Sequence, residues 1–345
     1  MQDSYKLYRN LRIVLTLQTE VIAIIIKSRE DPERLKKLRA LHKRIPHNHP
    51  TYKRISHDLH LREIGFQGEQ SLDYFLQFIP NKFMILHDLR LKGIQQTYFQ
   101  LDTILINKNF IVIIEVKHYS GHIYFDEGTK QILRKVNEVT EGLPNPLSQV
   151  HRHKLQLNQF LLERNYPLVP IVTLAVFSNP SAIIETKGLP NSQKSAIIRS
   201  EFLPEKLENL QANFSQVRFS ENQLHSLVSS LKKSHSPEQV NLLKEYQLSI
   251  SDLKLGVECP NCNQIKMDRN TKFGFWNCAN CSFSSKDAHV NTLDDFSLLL
   301  NNPLTNKLAR QILQVSSRHV VYRLLSQTPH PASAKISRTT SISKK

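Results

Sequence analysis

Two β-branched, apolar runs, Leu101–Ile106 and Phe110–Val116, flank the short polar segment Asn107-Lys108-Asn109. Asn tolerates the positive φ of tight turns, so the pattern predicts an antiparallel hairpin. With Lys108 and Asn109 as the loop, facing residue numbers sum to 217 and Asp102 stands opposite Glu115. Strand side chains alternate with period two, which puts Ile104, Ile106, Ile111 and Ile113 on the face of Asp102, Glu115 and Lys117. The other face carries Leu101, Thr103, Leu105, Val112, Ile114 and Val116. Both faces are apolar, so the hairpin is expected at the centre of a sheet covered on both sides by helices.

Helical spacing recurs around it. Asp31-Pro32-Glu33 opens a basic helix over 33–44, with Leu35, Leu38 and Leu41 on one stripe. It either packs on the central core or lies along a polyanion. Gly68 to Ile79 reads as an amphipathic helix with Glu69 at its amino end, followed by a strand at 82–88. Strands near 121–125 and 131–136 are expected to extend the sheet. Asn145-Pro146-Leu147 opens a long helix to about Glu163, with Gln149 and His153 one turn apart on one face. A strand over 169–178 follows, then a short strand at 195–198 and helices at 201–212 and 221–232. Leu304 to Leu325 reads as two helices broken at Gln314-Val315-Ser316, with Ser316 or Ser317 as cap. The pair is either a plain helical hairpin or a helix-turn-helix, in which Arg318, His319, Tyr322 and Arg323 point outward. Residues 328–345 lack apolar periodicity and read as a disordered basic tail.

Several residues carry candidate chemistry. Directly paired side chains in antiparallel strands have Cβ atoms about 4.5–5.5 Å apart. Carboxylates that close repel unless a cation lies between them. Asp102 and Glu115 therefore ask for a metal. The bland reading, strand-end surface charges, leaves three charged groups on one face of a buried hairpin, which is costly. All four cysteines lie in Cys259-Pro-Asn-Cys262 and Cys278-Ala-Asn-Cys281, with fifteen residues between the pairs. That spacing predicts a closed zinc ribbon, Zn²⁺ being structural. Two disulfides are the alternative, disfavoured without a secretory signal. Lys266, Arg269, Lys272 and Lys286, with the nearby aromatics, are placed to meet single strands. His42, His47, His49, His57 and His60 fit no metal spacing.

Charge sharpens the picture. The net +16 is divided as +1 in residues 1–26, +6 in 27–64, +1 in 65–180, +1 in 181–254 and +7 in 255–345. A near-neutral core with basic flanks suits a nucleic-acid enzyme, because phosphate neutralisation supplies sequence-independent affinity. The apolar residues of 11–26 are interrupted by Arg12, Thr16, Gln18, Thr19 and Glu20. The run is too short and polar to span a bilayer and has no cleavage site, so a cytoplasmic protein without membrane partners is expected.

The ordered set Gly68-Glu69, Asp102, Glu115-x-Lys117 with Tyr119-Ser120-Gly121, Asn145-Pro146…Gln149 and the strand Val172–Ser178 resembles the nuclease-related domain (NERD) family of the PD-(D/E)xK nuclease superfamily. Leu101 stands where the superfamily name implies proline, and His118 where the family often has Asn. The resemblance implies an α/β fold, a restriction-endonuclease-like mixed sheet flanked by helices, here joined by a small zinc ribbon and a C-terminal helical hairpin. It implies a Mg²⁺- or Mn²⁺-dependent nuclease acting on DNA, without a small-molecule cofactor. Asp102 and Glu115 would hold the metal, Lys117 would act at the scissile phosphate, and Glu69 and Gln149 would support them. Arg152 and Lys154 are placed to reach phosphates. For Glu69 the alternative is a charge that only complements its helix dipole. The expected organisation is a basic extension (1–64), a nuclease-like core (65–180), a helical completion or linker (181–254), the ribbon (255–290), a helical segment (291–327) and the tail (328–345). Two rival functions fit the same residues: a non-catalytic DNA-binding or adaptor protein on a nuclease fold, and an RNA nuclease. Protein partners are not read from the sequence.

Overall fold

The computed structural model describes residues 24–79, 82–126 and 128–327. The expectations for residues 11–23 and for the 328–345 tail fall outside them. In chain order the main elements are β1 (Ile24–Lys27), α1 (Glu33–Arg44), α2 (Tyr52–Phe75), β2 (Met84–Lys92), β3 (Tyr98–Ile106), β4 (Ile111–Lys117), β5 (Gly121–Phe125), β6 (Ile132–Val136), β7 (Val139–Leu143), α3 (Pro146–Leu162), β8 (Ile171–Phe177), β9 (Ala182–Glu185), β10 (Ile197–Arg199), α4 (Leu203–Asn213) and α5 (Glu221–Ser234). There follow β11 (Val257–Glu258), β12 (Ile265–Arg269), β13 (Trp276–Cys278), β14 (Ser284–Ser285), α6 (His289–Leu300), α7 (Asn306–Leu313) and α8 (Arg318–Gln327). The described residues fall into two compact units, one within Met1–Glu30 and Ile64–Pro237, the other within Asp31–Glu63 and Glu238–Lys345.

In the first unit a six-stranded mixed sheet has the order β1-β2-β3-β4-β8-β10. The β3–β4 hairpin lies at its centre, in the expected register: Thr103 faces Ile114, Ile104 faces Ile113 and Ile106 faces Ile111. Asn107 makes the turn, its Oδ1 accepting from the N–H groups of Asn109 (2.8 Å) and Phe110 (2.9 Å). Both faces are buried. Ile104, Ile106, Ile111 and Ile113 pack with Leu157, Phe160 and Leu161 of α3 and with α5. Leu105, Val112, Ile114 and Val116 pack with Leu72 and with Leu203, Leu207 and Leu210 of α4. Burial of this extent makes each large aliphatic side chain worth about 2–5 kcal/mol against truncation to Ala. β4 and β8 run parallel, Glu115 beside Ala175 and Lys117 beside Phe177, with α3 in the crossover. Residues 181–237 complete this unit, β10 lengthening the sheet and α4 and α5 covering opposite faces.

Four expectations need correction. Strands β5 and β6 do not extend the main sheet but build a separate four-stranded one, ordered β7-β6-β5-β9. Leu101 packs with the Ile104 cluster instead of with Leu105. The alternation fails because Asp88 has a φ of +48°, and the β2–β3 pairing passes from His87–Thr103 to Leu89–Leu101 with Asp88 and Asp102 between. Gly68 does not open a helix; it lies deep within α2. A Cβ there would come within 2.3 Å of the His118 Cβ, so glycine serves close packing of helix on strand. Glu69, one residue on, is far from any helix end, which removes the helix-dipole reading.

The fourth concerns α1. In the second unit its Leu38 and Leu41 join a core with Trp276, Cys259 and the apolar faces of α6, α7 and α8. Lys37 and Arg44, two of the cations that make this helix basic, are buried. Arg44 is fully enclosed, and each nitrogen of its guanidinium finds an acceptor. Nε and Nη2 donate to Asp295 Oδ2 (3.1 and 3.0 Å), Nη1 to the Gly256 carbonyl (2.9 Å) and Nη2 to Thr292 Oγ1 (3.1 Å). The cations that looked available for phosphate are thus partly spent inside. The helix break falls at Gln314, whose φ of +55° ends α7, and Ser317 caps α8. Among the described residues no helix is long and apolar enough to cross a membrane.

Candidate active site and cysteine cluster

The central hairpin carries Asp102, Glu115 and Lys117, and Gln149 of α3 and Glu69 of α2 join them in one polar site. Glu115 is 3% exposed, and its Oε1 accepts from Lys117 Nζ at 2.7 Å. Lys117 Nζ also donates to Gln149 Oε1 at 3.1 Å, so α3 positions the lysine. Asp102 is fixed from the backbone, Oδ2 accepting from the Val116 N–H at 2.9 Å. Glu69 approaches from α2, where Arg29 Nη1 donates to its Oε2 at 2.9 Å. The remaining oxygen of Glu115, Oε2, is buried and has no hydrogen-bond partner.

Electrostatics follow from that crowding. Burial, then the charge of Asp102, pushes both Glu115 and Glu69 up to about 8. Burial likewise holds Asp102 above the usual carboxylate range, against the Val116 N–H and Lys117. Burial works against the charge of Lys117, yet Glu115, Tyr119 and Asp102 together more than offset it and Lys117 titrates above an ordinary lysine. Acids that must ionise close together in a dry place are a poor structural choice and a good cation site. The hard oxygen donors suit a divalent ion such as Mg²⁺ or Mn²⁺, and the orphaned Oε2 is a lone pair with nothing else to bind. The fit has a limit: among the described residues the only set of three or more ligand atoms gathered within 4.8 Å of one another is the cysteine quartet. Glu69 is held back by Arg29.

Sequence reasoning missed Arg29. Its guanidinium, 4% exposed, donates to Glu69, to Asp73 at 3.2–3.3 Å and to Thr103 Oγ1 at 3.1 Å, and meets His87 Nδ1 at 3.0 Å. Nothing local marks it, since its partners lie 40 to 74 residues away. His87 and Asp88 had a faint signal as polar residues in an apolar strand. Burial, then Arg29 and Lys27, depresses His87 to about 3, so it stands neutral beside the arginine. His153 shares the Gln149 face of α3 as expected and turns inward, Nδ1 3.8 Å from Glu115 Oε2. Burial, then Arg152 and Lys117, lowers it to about 4. His118 bonds Ser178 Oγ at 2.9 Å. Arg152 is exposed and Lys154 half-buried on α3, on its outer side. Arg318, His319, Tyr322 and Arg323 are all exposed on α8, in the other unit.

The cysteines converge as the spacing predicts. Cys259 Sγ and Cys281 Sγ are 3.6 Å apart, as are Cys262 Sγ and Cys278 Sγ. All four are free thiols, which removes the disulfide alternative. Each pair sits in a matching turn: Asn263 N–H bonds the Cys259 carbonyl (2.8 Å) and Ser282 N–H the Cys278 carbonyl (3.0 Å). Both turns close on a residue with φ of +58°. A tetrahedral ion with bonds of about 2.3 Å sets its sulfurs about 3.8 Å apart, so this quartet has the dimensions of a zinc site. Around it β11–β14 form one antiparallel sheet. Arg269 lies over Trp276, Lys272 over Phe273 and Lys286 over Phe275, each at 5.2–5.3 Å.

The central hairpin lies within a segment that matches a known family. Residues 64–178 match the nuclease-related domain (NERD) family. An uncharacterized protein of Bacillus anthracis is 22% identical over 134 residues, covering 39% of this chain and 61% of that protein. The chain thus spans less than two thirds of that relative's length. No solved structure matches.

Proposed function

We propose that the protein is a divalent-metal-dependent nuclease that hydrolyses phosphodiester bonds in DNA, with the cysteine sheet and α8 as binding appendages. The observation that carries it is the buried Glu115 Oε2, left without a partner in a row of acids ended by a lysine. A protein that merely bound DNA gains nothing from that cost. The nuclease-related domain match over the same residues supports the reading.

Asp102 and Glu115 would hold Mg²⁺ or Mn²⁺. When bound, the ion polarises the scissile phosphate and acidifies the attacking water. The chain's own residues do the rest. Lys117, braced between Glu115 and Gln149, presents a fixed positive charge where negative charge develops on the phosphate. Val116 N–H keeps Asp102 from rotating away. Arg29 restrains Glu69 beside the row, so its carboxyl is available to orient water or take up a proton. Arg152 lies on the same helix as Gln149 and supplies charge for the phosphate backbone. The four thiolates would hold Zn²⁺ and lock β11–β14 together, leaving Lys272, Phe273 and Lys286 to meet nucleic acid.

The test is cleavage of plasmid and linear DNA with Mg²⁺ or Mn²⁺, with binding measured on the same samples. Loss of cleavage in Asp102→Ala and Lys117→Ala with binding retained supports the reading. Wild-type protein that binds DNA but cuts neither DNA nor RNA refutes it, and cleavage of RNA alone moves the substrate.

A further inference from the structure

We infer that His153 is a nitrogen donor to the cation of this site, which makes the site select a first-row transition ion such as Mn²⁺ over Mg²⁺. The inference rests on the nuclease reading and goes beyond it. Two orphans face each other across the site. His153 is 8% exposed, and its Nδ1 is buried without a hydrogen-bond partner. Glu115 Oε2, opposite it, is equally unpartnered. Their 3.8 Å separation is too long for a hydrogen bond. Nearly all buried polar atoms have a partner, so one unpaired atom is unusual and two aimed at each other point to a shared missing one.

The gap has the size of an ion. Donors bonded at about 2.1 Å stand about 3.0 Å apart when adjacent on a cation and about 4.2 Å apart when opposite, and the observed distance lies between. Neither donor is free to turn away. Lys117 takes the other oxygen of Glu115, Oε1, which leaves Oε2 directed at the imidazole. His153 is anchored by a helix whose Val150 and Leu157, on either side, are buried, and its ring lies against Phe99. The residue therefore does no visible structural bonding with Nδ1. Mg²⁺ favours oxygen donors and sheds water reluctantly, whereas an imidazole nitrogen raises affinity for transition ions.

The experiment uses full-length protein with its cysteine site loaded with zinc. Mn²⁺ and Mg²⁺ are titrated by calorimetry into wild type and His153→Gln, and the bound Mn²⁺ is read by electron paramagnetic resonance for coupling to nitrogen. The expected result is Mn²⁺ binding about tenfold or more tighter than Mg²⁺ in wild type, with nitrogen coupling. In His153→Gln the Mn²⁺ affinity falls about 10- to 100-fold, the coupling disappears and Mg²⁺ binding changes little. Mn²⁺ bound without nitrogen coupling, or with coupling that survives in His153→Gln, overturns the inference and leaves the nuclease reading standing. The wild-type spectrum decides this even if the variant fails to fold. Absence of any divalent-ion binding that Asp102→Ala weakens overturns both.

Discussion

Each unit buries a cluster of charge, and the two are built on opposite terms. Around Arg44 the guanidinium is fully enclosed and bonded to Asp295, Thr292 and Gly256. Around Glu115 the acids outnumber the cations, Oε2 and the His153 nitrogen have no partner, and carboxyls titrate near 8. A buried ion pair gains little net stability but punishes loss of either member. Unpaired groups cost stability outright and persist where something outside the chain completes them. The satisfied cluster therefore reads as architecture and the unsatisfied one as a site.

The largest effect that separates them is expected from zinc removal. A structural site of four thiolates carries on the order of 10 kcal/mol of apparent binding energy, so chelation should unfold the cysteine sheet. Trp276, the sole tryptophan, is buried against it and reports the change by fluorescence. Hydrogen exchange at β3 and β4 should change far less. Next, Arg44→Ala should destabilise the second unit by about 3–5 kcal/mol, because Asp295 is left buried without its hydrogen-bonded cation and with only Lys43 at 3.9 Å. Urea unfolding followed at Trp276 measures it, and a loss under about 1 kcal/mol would break the contrast. Lys117→Ala should lower single-turnover cleavage about 10²- to 10³-fold and destabilise less than Arg44→Ala, because Glu115, already raised to about 8, can take up a proton when its cation is gone.

The smallest effect has the opposite sign. Glu115 is raised in the folded state, so the stability linked to its proton is full below the unfolded value near 4.5 and is lost as pH rises through about 8. Glu115→Gln removes that loss and keeps an oxygen for Lys117. With the cysteine site loaded with zinc and no Mg²⁺ or Mn²⁺ added, at pH 8.5 it should be more stable than wild type by about 1 kcal/mol or more, and at pH 4 the gain should vanish. Thermal melts at the two pH values check this.

How much was legible depended on distance along the chain. The hairpin register followed from one turn, because Asn107 closes it locally and alternation fixes the rest. The Asn145 cap, the cysteine turns and the break at Gln314 are local in the same sense. Arg29 joins Glu69, His87 and Thr103 only through the tertiary fold, so no pattern foretold it. Gly68 misled because glycine is a poor helix former, yet close packing against His118 requires it within α2. Arg44 carries no local sign of its burial, because its main acid partner, Asp295, lies 251 residues away.

The most direct test of the whole account is single-turnover cleavage of supercoiled DNA by Glu115→Gln in saturating Mn²⁺, on protein whose stability at pH 8.5 equals or exceeds wild type. The account expects cleavage to fall at least about 10²-fold, a more stable protein that no longer cuts. Cleavage within a few-fold of wild type would contradict it.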